Sequence, residues 1–149
     1  MTFGKTSPRA LSAVRRVVFF GLSIGAAGIL TTASGCGGNN DPRPQTWSYV
    51  STAILEPSCA TANCHSAIAA RAGVDLSTRT AGFASLVGRT YVISKDAAPT
   101  LTDDERVQRS SVPKLMRAVG NLRMPPDLPL PEADIELFEN WIRAGAKDD

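Results

Sequence analysis

The chain has 149 residues, 16 of them basic and 14 acidic, with 43% hydrophobic and 20% charged composition. That profile excludes wholesale disorder and leaves room for one domain. Four basic groups (Lys5, Arg9, Arg15, Arg16) precede residue 36 without an acid, so the remaining 114 residues carry 12 basic and 14 acidic groups, a formal −2. The sequence pI of 8.6 therefore belongs to the leader and is no nucleic-acid footprint. Three cysteines exclude a disulfide-dense scaffold.

The leader comes first in chain order. After Arg16 the run VVFFGLSIGAAGILTTASG is apolar or small and uncharged. A basic start, an apolar middle and small closing residues are the pattern of a secretory signal. The run ends on Ala33-Ser34-Gly35-Cys36, which resembles the lipobox of bacterial lipoproteins, cut before the cysteine once its sulfur is lipidated. Residues 1–35 are accordingly expected to be a lipoprotein signal peptide, 36–45 a lipidated tether and 46–149 the folded domain. An ordinary cleaved signal and an uncleaved anchor are the alternatives, since Val17 to Ser34 is just long enough to span a bilayer. Lipidation is favoured because Cys36 otherwise has no partner. Arg15-Arg16 matches a twin-arginine signal poorly, so unfolded export is expected. The segment GGNNDPRPQ after Cys36 has no apolar periodicity and reads as a flexible tether, with a reach on the order of 15–20 Å.

Four helices are expected beyond it. Trp47, Val50 and Ile54 share one face of a helix from Thr46 to Glu56, with Thr46 as N-cap and Pro57 as the stop. Thr78 to Val87 is the second, packing through Ala81, Leu86 and Val87. Ser111 to Val119 is the third, with Pro113 in its first turn, Val112, Leu115, Met116 and Val119 on one face, and Gly120-Asn121 ending it. The last starts at Pro131, with Glu132 and Asp134 in the first turn, where they suit the helix dipole. Its buried stripe is Ile135, Phe138, Trp141 and Ile142, its wet one Glu132, Glu136, Glu139 and Arg143, and Gly145 is the C-cap. No run alternates like a strand for long and no repeat is visible, so the fold class is all-α.

The chemistry is concentrated in Cys59-Ala60-Thr61-Ala62-Asn63-Cys64-His65, a C-x4-C-H motif containing the chain's single histidine. It resembles the haem-attachment site of c-type cytochromes, where two thiols add across the haem vinyl groups and the adjacent imidazole binds iron. The resemblance extends from Thr46 to Ala146. Met124-Pro125-Pro126 occupies the place of the family's distal methionine, and the helix with Phe138 and Trp141 that of its closing aromatic helix. It implies a small cytochrome c-like helical domain with one haem c, covalently held by Cys59 and Cys64, with His65 as proximal and Met124 as distal iron ligand. The family's usual spacing has two residues between the cysteines and this chain has four, which leaves attachment through Cys64 alone open. The family's proline carbonyl that accepts the histidine's second N–H has no counterpart here, but any backbone carbonyl of Gly73-Val74-Asp75 can serve. Met116, in line with Val112, Leu115 and Val119, reads as a core residue rather than the ligand.

A second reading stays open beside this one. Cys59 and Cys64 are close enough in sequence for a disulfide across a short loop in an oxidising compartment, which would leave a haem-free lipoprotein interaction module. Zinc would lack a fourth ligand. The resemblance implies an electron carrier rather than an enzyme, although Met124 lying away from the iron would suit a peroxidase-like open site. It also implies redox partner proteins of the cell envelope, a membrane contact through the lipid anchor, no nucleic acid, and a position facing the periplasm or exterior. The interspersed charges of the domain show no basic ring that selects an acidic partner. Replacing Cys36→Ser should release the protein or leave it unprocessed, because a multiply acylated Cys36 is what anchors stably. A mutant that fractionates and migrates like wild type rules out lipidation.

Overall fold

The computed structural model describes residues 41–149. The expected leader, Cys36 and the first part of the tether lie outside the described residues. The architecture is all-α, as expected, with five helices among the described residues and no strand.

The first helical rod, α1, is built from three consecutive segments, Trp47–Tyr49, a wider π-helical stretch Val50–Leu55, and Glu56–Cys59. Thr46 caps it, its side chain accepting from the Tyr49 amide. Pro57 does not stop the rod. Proline lacks the amide for a helical bond, and its ring meets the carbonyl four residues earlier in a regular α-helix. Here the winding has already widened, Glu56 N–H bonding five residues back to Ser51 O, and Pro57 falls in the first turn of the last segment. Cys59 therefore sits on a helix end instead of in a loop.

The second helix, α2 (Arg79–Leu86), falls within the expected Thr78 to Val87, with Thr78 as N-cap and Val87 as C-cap. Its backbone lies close on Trp47, where a Cβ on Gly82 would stand 3.1 Å from the indole ring. A third helix, α3 (Asp103–Arg109), was not among the expected four. Its start is a full capping box, Thr102 accepting from Glu105 N–H while the Glu105 carboxylate accepts from Thr102 N–H. The fourth, α4 (Ser111–Arg117), is shorter than the expected Ser111 to Val119. Val119 lies beyond its end and is 84% exposed, and Gly120–Leu122 forms a separate 3₁₀ turn.

The fifth, α5 (Glu132–Arg143), buries Ile135, Phe138, Trp141 and Ile142 as the spacing predicts, and Leu137 as well. Pro131 stands at the N-cap rather than inside the helix, and Gly145 follows the Ala144 C-cap with φ +117°, a conformation that favours glycine. Glu139, expected on the wet face, is only 7% exposed. Arg117 from α4 covers it, with Nε donating to Oε1 at 2.7 Å and Nη2 to Oε2 at 3.2 Å.

The core gathers where α1, α2 and α5 meet. Trp47 lies 4.8 Å from Trp141 between ring centroids and 5.7 Å from Phe83, and Phe138 lies 5.5 Å from Trp141. Both buried indoles are satisfied, Trp47 Nε1 donating to Arg79 O and Trp141 Nε1 to Lys147 O. Arg106 of α3 is 1% exposed and donates to Leu101 O, to Arg143 O at the end of α5 and to the Asp103 carboxylate. The end of the expected tether is not loose. Arg43 is paired with Asp41 and with Asp134 of α5, which fastens that stretch to the domain.

The Thr102–Glu105 cap generates a prediction. Glu105's carboxyl is held below its usual value by the Thr102 amide and then the Thr102 hydroxyl. Its contribution is therefore present at neutral pH and lost as pH falls through the lowered value. Thr102→Ala should cost about 1 kcal/mol in denaturant unfolding at pH 7. An unchanged midpoint would show that α3 is held by Arg106 without the cap.

Candidate functional site

α1 ends at Cys59, and the chain turns back at once. Cys64 N–H bonds to Thr61 O at 3.0 Å, and His65 N–H returns to Cys59 O at 3.1 Å. The carbonyls are used too, Arg71 N–H bonding to Cys64 O and Leu76 N–H to His65 O at 2.7 Å. With both backbone groups of Cys64 and His65 engaged, the motif is rigid although it is not helical. Ala70 and Ala72 adopt φ +36° and +56°, a left-handed path that costs free energy for alanine and that the surrounding bonds enforce.

The imidazole is fixed from behind. His65 Nδ1 lies 3.3 Å from Val74 O, within the stretch expected to supply that carbonyl. With Nδ1–H donating there, Nε2 is the nitrogen that carries the lone pair. His65 also lines an open cavity of about 190 Å³. Leu55 and Cys59 of α1 and Val74, Leu76 and Leu86 form part of its wall. Val112, Leu115 and Met116 of α4, together with Met124, supply more of it. No lining side chain carries a fixed charge, and besides His65 and Cys59 only Tyr91 and Ser111 bring a polar group.

Cys59, His65 and Met124, expected as site residues, thus share one cavity. Cys64 is half-buried beside it but does not line it. Both thiols are free, and Cys59's is pushed up to about 11, mainly by burial and then by the neighbouring Cys64. Met116 is core, as expected, at 4% exposure, and lines the cavity as well. Met124 is 40% exposed. Its N–H bonds to Leu115 O at 2.9 Å, and Arg123 stiffens the strap after it by donating to Pro125 O and Pro126 O. Tyr91 and Ser111 were not anticipated. Tyr91 stands in a stretch without periodicity, but its carbonyl accepts the Ser111 N–H that starts α4.

The donor set suits an iron porphyrin. A flat apolar macrocycle needs an uncharged wall, and its iron takes an imidazole nitrogen with a thioether. Among the described residues no three His, Cys, Asp or Glu side chains are grouped to hold a metal ion, and no helix is long and apolar enough to cross a membrane. No family model, curated protein or solved structure matches this chain.

Burial of Cys59 has a direct consequence. In protein carrying both free thiols, alkylation of Cys59 by iodoacetamide should keep accelerating with pH toward about 11, because only the thiolate reacts. A rate that levels off at the ordinary thiol value of about 8.5 would mean that this sulfur is solvated.

Proposed function

We propose that the domain is a small monohaem c-type cytochrome, anchored by lipid at Cys36 in a bacterial cell envelope, that carries single electrons between redox partner proteins. The observation that carries the reading is the His65 imidazole, bonded through Nδ1 to Val74 O and lining an uncharged cavity that Met116 and Met124 also line. The adjacency of His65 to Cys64 and the absence of another histidine in the chain add to it.

Cys59 and Cys64 are the residues to hold the haem covalently, His65 the proximal iron ligand and Met124 the distal one. Haem supplies a reversible one-electron couple when bound, and a histidine–methionine ligand pair raises its potential. The chain's own part is binding and tuning. Leu55, Val74, Leu76 and Leu86 exclude water from the cavity wall. Val74 O fixes the imidazole plane and raises its basicity. The Met124 strap, tied to Leu115 O and stiffened by two prolines, loses little further entropy in presenting one sulfur. No bond-making step on a substrate is assigned to the domain.

Expressed with a cytochrome maturation system, the protein should keep haem through denaturing electrophoresis, and His65→Ala should remove the proximal bond. A mature peptide at its bare mass less two hydrogens would establish the Cys59–Cys64 disulfide instead. Met124→Ala should erase the weak far-red charge-transfer band of the ferric protein and lower its potential. Met116→Ala should mainly cost stability, about 2–5 kcal/mol for a buried methionine. The opposite pattern would exchange the roles of the two methionines.

A further inference from the structure

α4 contributes Leu115 and Met116 to the cavity, and the next residue, Arg117, ties that helix to α5. The Arg117 guanidinium grips both oxygens of Glu139, at 2.7 and 3.2 Å, and its Nη1 donates to Glu132 Oε1 at 2.6 Å. Glu139 is buried, with Arg143 of its own helix as a more distant second cation at 3.8 Å. Removing such a carboxylate from water is costly, and apolar residues often stabilise equally well in its place. What a bidentate arginine–carboxylate pair adds is a fixed geometry.

That geometry bears on both sulfurs. The start of α4 is pinned by the amides of Ser111 and Val112, both bonded to Tyr91 O. Its other end, which carries Met116, is tied to α5 by Arg117. The strap hangs from the same end, since Met124 N–H bonds to Leu115 O. Any slide of this two-turn helix against α5 therefore moves Met116 and Met124 together relative to His65. We propose that the Arg117–Glu139 clasp is a positioning device for the distal sulfur, setting how firmly a thioether meets the iron and hence the redox potential. This rests on the cytochrome reading.

The test uses the haem-loaded mature protein with Arg117→Met, Arg117→Lys, Glu139→Gln and Glu132→Gln. Arg117→Met and Glu139→Gln should weaken the far-red band and lower the potential while covalent haem is retained. In both, the Met124 amide should exchange hydrogen about tenfold faster, as expected when local opening becomes easier. Arg117→Lys should restore part of the band, since it keeps the charge without the fork. Glu132→Gln should change little, because that partner is exposed. A lowered unfolding midpoint with band, potential and Met124 exchange all unchanged would make the clasp an ordinary stabilising pair and overturn the proposal. Should Arg117→Met fail to fold, the isosteric Glu139→Gln decides by the same readouts. A wild type that retains no haem sinks the cytochrome reading and this proposal together. A haem-loaded wild type with unaffected variants sinks only the clasp.

Discussion

Trp47 and Trp141 come from opposite ends of the domain's sequence and meet with ring centroids 4.8 Å apart, both essentially inaccessible to solvent. Each aromatic of this kind removes about 150–250 Å² from water, a gross gain of roughly 4–6 kcal/mol at about 25 cal/mol per Å². In a chain whose composition is only 6% aromatic, this contact gathers Phe83 and Phe138 around it. It also sets the bearing of α1, because the rod that starts at Trp47 ends at Cys59. Asp149 strengthens the same junction, accepting from the amides of Trp47 and Ser48. An acceptor at a helix N-terminus satisfies amides that have no partner within the helix.

With α1 secured at one end, its far end is free to border an opening. The cavity is lined mostly by aliphatic and sulfur side chains, which left to themselves would collapse into a core. The loop from Cys59 to Leu76 resists that collapse. Its left-handed alanines and paired backbone groups hold the His65 ring against Val74 O. Any ligand that binds the folded form alone would add to stability by mass action.

Much of this was legible in the sequence because it is local. The spacing of Ile135, Phe138, Trp141 and Ile142 found the buried stripe of α5, and Thr46 and Thr78 found two helix starts. The adjacency of Cys64 and His65 marked the motif, and the turn at Gly73-Val74-Asp75 was near enough to supply its carbonyl. The misreadings share a cause. Pro57 ends a regular helix, and nothing in a propensity argument anticipates a widened turn that gives its ring room. α3 carries a legible signal in Thr102-x-x-Glu105, yet Val107 is its only buried hydrophobic residue, so apolar periodicity passed over it. Glu139 looked wet because its partner comes from Arg117, 22 positions earlier in the chain. Spacing along one helix cannot reveal what a second helix brings to it.

That last case extends to the way the small helices are mounted. α3 and α4 have seven residues each, too few for an apolar stripe to specify how far they slide along α5. Each also reaches α5 through one arginine. Arg106 reaches Arg143 O at the C-terminal end of α5, where a cation complements the helix dipole. Arg117 reaches Glu139 in its middle. Burying Arg106 and Glu139 is costly. Apolar contacts determine which face is covered but tolerate axial displacement, whereas a guanidinium fork tolerates little. For α3 the consequence is structural. For α4, whose other face is a cavity wall with a buried thioether, the same rigidity falls on the position of the sulfur.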